Sequence, residues 1–389
     1  MNRGVYIQGV GQTLQGPHPD KDMRTLCVEA TLEAVQDANI ELKDIQAVFV
    51  GQFPATTDMQ FSTGQIIVDA LGIPGAFAVV STEGCTASGQ AMHNAYLAIA
   101  SGMYDVVLVL GFSKILSSLD LFDTISECGF GPFDMVTGTG YGRFDIHRYM
   151  EDNDVTEDDI DAFRETVHWY SARNPKSWFY GRKYLEKDEY REKVPYEFYP
   201  FRLGSWSVRD VEGAAAIILC SDKIAKYDTR IRIMSSVHKE ESSYAPHSLY
   251  EPGTKYAMLH SRMVIETIKE ALSRAKVDAT MLDIFQPHEA TIATAWSMLD
   301  SLGHPDIPLG KAPKWYSEGQ AMPGGNLPCN TAGVFRSYNP GAICLQYTIE
   351  NVLQLREDAG KRQCTMKRYI AACVVSPLRP WCLVIGRET

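Results

Sequence analysis

At 389 residues the chain is long enough for two ordinary domains around a deep core. With 45% hydrophobic and 22% charged residues it does not read as disordered, and no run approaches the eighteen apolar residues of a membrane-spanning helix. A net charge of −11 disfavours nucleic acid and anionic membranes as partners, and nine cysteines without a CxxC pair argue against a disulfide framework or a zinc ribbon.

In chain order, "MNRGVYIQGVGQT" lacks a hydrophobic signal core and predicts a cytoplasmic protein that opens on a strand. Within it "GVGQ" (9–12) reads as a strand-end turn, and without a GxGxxG continuation it predicts no nucleotide site. Residues 28–50, "VEATLEAVQDANIELKDIQAVFV", predict an amphipathic helix, a short polar connection and an apolar strand. "VVSTEGCTASGQAMHNAYLAIASG" (79–102) then sets Cys85 between a β-branched run and an alanine-rich helix, and "VVLVLGF" (106–112) is a buried strand. Between 115 and 210 the pattern turns irregular and dense in aromatics and charge, as in "NPKSWFYGRKYLEKDEYREKVPYEFYPFRLGSW", which predicts an inserted lid.

After "GAAAIILC" the pattern begins again. "IETIKEALSRAKVDATMLDIFQP" (265–287) aligns with 28–50 at a constant offset of 237, so that Glu29 meets Glu266, Ala34 meets Ala271, Ala38 meets Ala275, Ile40 meets Val277 and Ile45 meets Leu282. A second echo pairs 88–112 with 340–376, each running from a small-residue turn through a helix to a strand. A period this long predicts duplicated α/β halves, 1–228 and 229–389, with an insertion at about 115–208 in the first.

Two residues stand out on chemistry. Cys85 sits in a turn that opens a helix, where unpaired N–H groups and the helix dipole favour a thiolate. His288, in "FQPHEA", follows the second half's strand at the repeat position of Gly51, so its side chain would project from the sheet's end as a donor to a developing oxyanion. A "GHP" at 303–305 lies outside the glycine-rich loop, and its His304 reads as a loop residue.

The order and spacing of "VYIQGVGQT", "EGCTASG" with "ASGMYDVVLVLGFSK", "RDVEGAAAIIL" (209–219), "FQPHEA" (285–290) and "GGNLPCNTAG" (324–333) resemble the thiolase superfamily over essentially the whole chain. The resemblance implies a five-layered α/β/α/β/α thiolase fold, usually dimeric, that handles acyl-CoA thioesters. It implies Cys85 as the acylated nucleophile, His288 on the thioester oxygen, and Cys373, read as ending a strand, as the acid/base for the α-proton. Thiolases carry a G-H-P-x-G-A histidine that activates the nucleophile. Here Asn339 precedes Pro340, about two residues short in spacing, and Cys85, His288 and Asn339 make a set similar to that of the initiating ketoacyl synthases. Asparagine is not a base.

The resemblance further implies coenzyme A as substrate, with no tightly bound cofactor and no metal in this chain. Arg182, Lys183 and Arg202 on the insertion would meet its phosphates, and Arg336 would meet a substrate carboxylate. The altered loop is similar to that of the unorthodox thiolases that work with a small zinc-binding, OB-like partner subunit. The aromatic-rich insertion and Arg336 suggest the benzoylsuccinyl-CoA type, from aromatic degradation. The expected activity is thiolytic cleavage of a β-ketoacyl-CoA, or the reverse Claisen condensation. The alternatives are a condensing synthase that uses the Cys-His-Asn set and a non-catalytic scaffold subunit.

Overall fold

The structure, a computed structural model, describes residues 3–53, 62–115, 138–225, 230–240, 262–377 and 379–388. The predicted boundary at 228/229 and the start of the predicted lid (116–137) lie outside the described residues.

The duplication is visible in strand order. In the first half β1 (Val5–Gln12), β2 (Ala47–Gln52), β3 (Phe77–Ser81), β4 (Val106–Ser113) and β7 (Gly213–Ser221) run β3-β2-β4-β7-β1. In the second, β8 (Ile231–His238), β9 (Ile284–Pro287), β10 (Ile370–Val375) and β11 (Trp381–Arg387) run β8-β11-β10-β9. Both halves pair their equivalent strands with the same polarities: β4 and β10 are parallel to β2 and β9, whereas β7 and β11 run antiparallel to their neighbours. A bridge between Phe285 and Cys329 takes the place that β3 holds in the first half. The halves join where Tyr6 pairs with Arg232 and Ile7 with Ile231, giving one nine-stranded sheet order.

Helices supply the layers. α1 (Met23–Ala38) covers β1 and β7, and its repeat partner α7 (Arg262–Ala275) covers β8 and β11. Both helices end in a left-handed residue, Asn39 and Lys276, again 237 apart, which turns the chain into the following short helical turn. α3 (Ala87–Ala100) and α10 (Ile343–Arg356) pack on each other between the two halves and form the middle layer. α2 (Thr63–Ala70) flanks α1 and β3.

The "GVGQ" stretch lies inside β1 rather than in a turn. A side chain at Gly9 or Gly11 would place a Cβ 2.3 Å from the Ala34 carbonyl or 2.4 Å from that of Ala30, so these glycines let α1 lie directly on the strand.

The insertion is no loose excursion. α4 (Gly138–Asn153) and α5 (Glu157–Ser171) are followed by α6 (Lys187–Lys193) and a ribbon of β5 (Tyr196–Phe198) and β6 (Phe201–Arg202). Ile146, Phe163, Val167 and Trp206 share one apolar cluster with Trp296 of α8 (Ile292–Asp300) and Trp315 of α9 (Ala312–Ser317). The described part of the insertion thus shares the second half's core. No helix of the described residues is long and apolar enough to cross a membrane.

Candidate active site

The nucleophile candidate is built by a sharp exit from β3. Gly84 adopts a left-handed backbone (φ 58°) and begins a single 3-10 turn, Gly84–Thr86, from which α3 continues. The turn is tied down by the Thr86 hydroxyl, which donates to the Glu83 carbonyl at 2.8 Å, and by the Cys344 thiol, which donates to the Cys85 carbonyl at 3.4 Å. Glu83 is paired with Arg379. Cys85 is half-buried, between the central core and a small cluster of Phe53 and Ile115. Burial pushes its thiol up to about 11, against a lowering hydrogen bond from Tyr338. Position at the head of α3 therefore does not by itself produce a thiolate at neutral pH, and deprotonation needs a base.

Tyr338, which no sequence motif singled out, links the two predicted residues. Its hydroxyl lies 2.6 Å from His288 Nε2 and acts on the Cys85 thiol, lowering its pKa. The Ser376 N–H donates to His288 Nδ1 at 3.4 Å, so the neutral ring carries its proton on Nε2 and donates it to the Tyr338 oxygen. The phenol proton is then free to point at the sulfur. Burial holds His288 down to about 3 and Tyr338 well above the ordinary phenol range, so both are neutral at pH 7. The chain Ser376–His288–Tyr338–Cys85 delivers one hydrogen-bond donor to the sulfur and stabilises negative charge there.

Asp210, within "RDVEGAAAIIL", is the other residue to which the sequence assigned no role. It forms a bridge with Tyr338: the Tyr338 N–H donates to the Arg209 carbonyl at 3.0 Å, and the Val211 N–H donates to the Tyr338 carbonyl at 2.8 Å. Its charge acts on both Cys85 and Tyr338. Burial raises its carboxyl to about 7, with Arg209 opposing. Among the described carboxyls, Asp210 is the one whose charge acts on Cys85, and burial brings it toward neutrality.

Asn339 faces a different neighbourhood. Its Oδ1 accepts from the Ser113 hydroxyl (2.5 Å) and the Ala342 N–H (3.1 Å), and its Nδ2 donates to Gln15 Oε1 and the Gly213 carbonyl, both at 2.9 Å. These bonds fasten the loop to β4 and β7. Within this loop Tyr338, rather than its neighbour Asn339, acts on the Cys85 thiol.

Cys373 is fully buried as the fourth of six residues in β10, not at the strand's end. Burial raises its thiol to about 12, and Cys344 couples electrostatically to both it and Cys85. The left-handed residue that leaves the strand is Ser376, the one whose N–H reaches His288.

The predicted cationic residues separate. Arg182 and Lys183 line a cavity of about 420 Å³ with Arg173 and Lys361. Arg202 turns away, donating to the Val194 carbonyl at 2.7 Å and stacking 3.9 Å over Tyr196. Arg336 is half-buried beside Phe179. His304 accepts from the Asp306 N–H at 3.2 Å and rests against Trp315, in a loop role. Among the described residues no group of three or more His, Cys, Asp or Glu is placed to hold a metal ion.

With this geometry in view, the comparisons with known proteins decide the family. The thiolase N-terminal domain profile matches residues 8–120, and the thiolase C-terminal domain-like profile matches residues 254–374. The chain belongs to the thiolase family. It is 26% identical to the acetyl-CoA acetyltransferase of Methanothermobacter thermautotrophicus, covering 93% of each chain. It is also 26% identical to the benzoylsuccinyl-CoA thiolase subunit BbsB of Thauera aromatica, covering 87% of this chain and 85% of that one. Its fold is similar to the solved "Ltp2-ChsH2(DUF35) aldolase" with a TM-score of 0.79 at 20% identity, covering 99% of this chain and 98% of that one. The predicted thiolase fold, with duplicated α/β halves, is the fold observed.

Proposed function

We propose that this thiolase-family chain is an acyltransferase that carries the acyl group of a thioester on Cys85 Sγ. The observation that supports the reading best is the donor chain His288–Tyr338 ending on a sulfur at the head of α3. In the first step the thiol proton passes to the Asp210 carboxylate and the sulfur attacks the thioester carbonyl. The Tyr338 hydroxyl, held by His288 Nε2–H, stabilises the thiolate before attack and then the oxyanion of the tetrahedral adduct. Collapse expels the CoA thiolate, which takes the proton back from Asp210. In the cleavage direction of a β-ketoacyl-CoA the leaving group is an acyl-CoA enolate, protonated by the same carboxyl. Cys373, mid-strand in the core, is left out of this proton transfer.

The expectations of a β-ketoacyl-CoA substrate with an aromatic or dicarboxylic acyl group, a homodimeric core and a small zinc-binding OB-like partner belong to this proposal. The substrate and the partner draw support from similar proteins: one relative is a benzoylsuccinyl-CoA thiolase subunit, and a protein of similar fold is paired with a DUF35 protein. The condensing-synthase alternative leaned on Asn339, whose hydrogen bonds run to Ser113, Gln15, Gly213 and Ala342.

A second reading, a carbon–carbon lyase that needs no acyl-enzyme, is favoured by one observation: a tyrosine hydroxyl, not a histidine, addresses the reacting region. Exchange of isotopically labelled CoA into a panel of acyl-CoAs separates the two. The acyltransferase reading expects exchange in the wild type and none in Cys85→Ala. Exchange that persists in the variant, or that never occurs while a β-hydroxyacyl-CoA is cleaved, would favour the lyase.

A further inference from the structure

One cluster of charge near the site is not used by the chemistry above. Arg336 packs its guanidinium 5.6 Å from the Phe179 ring, in space left by Gly204 (φ 79°), where a Cβ would lie 2.8 Å from Arg336 Nη1. Its Nε is buried and has no acceptor. Arg182 and Arg209 lie over the neighbouring Trp178 ring at 4.6 and 5.5 Å. Both act electrostatically on Arg336, and together with burial they pull its pKa below the ordinary guanidinium value. Beside it His168 of α5 is buried, with neither ring nitrogen partnered and its ring 5.4 Å from Phe179; burial, Arg336 and Arg164 keep it neutral.

Among the described residues none of the three arginines forms an ion pair, whereas the lid's Arg164 and Arg191 are matched to Asp161, Glu165 and Asp158. In a chain of net charge −11 a half-buried, uncompensated cation is an unusual expense. Leaving the Nε–H edge dry and unpaired is unfavourable unless an anion completes it. The Nε–Nη edge of an arginine carries two parallel N–H donors, the geometry that a carboxylate accepts.

Position selects which anion. Arg336 lies two residues from Tyr338, and Arg209 is adjacent to Asp210, on two segments hydrogen-bonded to each other. Two residues of extended chain span at most about 7 Å, so the cluster is anchored close to the groups that act on the sulfur. The phosphates of CoA hang at the far end of a long pantetheine arm, for which the cavity of Arg173, Lys183 and Lys361, also lined by Arg182, supplies cations. We propose that Arg336, supported by Arg209 and Arg182 and floored by Phe179 and His168, binds a free carboxylate on the acyl group of the substrate. The assignment rests on the thiolase-type reading for the word acyl, and on the arginine geometry for the carboxylate.

The test is calorimetric binding to the full chain in the Cys85→Ala background, where no transfer occurs, comparing glutaryl-CoA with the uncharged butyryl-CoA. A charge-assisted bidentate contact predicts a preference of about tenfold for glutaryl-CoA, erased by Arg336→Gln with butyryl-CoA affinity unchanged, and reduced by the exposed Arg209→Gln. Equal binding of the two ligands to the unsubstituted cluster would overturn the proposal. So would an equal loss for both ligands in Arg336→Gln that vanishes with acyl-pantetheines, since the cluster would then hold CoA phosphate. Binding is read without Cys85, so absence of acyl exchange in the wild type would sink the nucleophile reading and leave this result standing.

Discussion

Replacing Tyr338 by phenylalanine removes one oxygen and tests the donor chain. The ring remains in its buried place, but Cys85 loses its donor and His288 Nε2–H loses its acceptor. A hydrogen bond to a charged group contributes about 1.5–3 kcal/mol, so the thiol, already at about 11, should rise by about one to two units. At fixed pH near 8 the thiolate fraction then falls about ten- to a hundredfold, and alkylation slows in proportion. The orphaned N–H of His288 adds a stability loss of about 1–3 kcal/mol. The assay is the rate of iodoacetamide modification against pH, read by mass on the peptide that carries Cys85, because the other described cysteines are buried. An unchanged or faster alkylation profile in Tyr338→Phe would refute the polarity assigned to the chain.

Asp210→Asn should remove the limb of the acyl-transfer pH profile near 7: wild-type activity rises as pH increases through the carboxyl's value, because the base must be ionised, and the amide cannot ionise. The same carboxyl is raised above its unfolded value of 3.8, so its ionisation costs folding stability. Urea midpoints should therefore fall less between pH 5 and 8 in the variant than in the wild type. Asn339→Ala should act through folding, lowering stability by about 2–4 kcal/mol as Ser113, Gln15 and Gly213 lose their buried partner, while the per-molecule alkylation rate of Cys85 stays near wild type. Cys373→Ser should leave thiolytic cleavage of a β-ketoacyl-CoA, which must protonate an acyl-CoA enolate, within about twofold of wild type; a loss of about a hundredfold would restore Cys373 as the α-proton acid/base.

The sequence carried the fold well because its strongest signals are local and repeated. The offset of 237 survives in the structure down to the residues that end α1 and α7 and to the left-handed caps after them. The roles of Cys85 and His288 came only with the family resemblance, but as positions that each follow a strand of one half they were legible. Tyr338 and Asp210 were not. Their link to the sulfur comes from a bridge between two loops far apart in the chain, and nothing in "RSYNPGA" says whether tyrosine or asparagine faces inward. Cys373 was misplaced by a few residues along a strand whose exit is made by Ser376. Arg336 was read as meeting a substrate carboxylate, while Arg209 entered only as the first residue of "RDVEGAAAIIL".

The most direct test of the account is intact-protein mass spectrometry, followed by peptide mapping, after mixing wild type and Cys85→Ala with acetyl-, succinyl- and benzoyl-CoA and stopping in acid. The account predicts one acyl increment per chain with at least one of these thioesters, mapped to the peptide containing Cys85 and absent from the variant. An adduct on another residue, or wild type that turns over an acyl-CoA without ever carrying one, would contradict it.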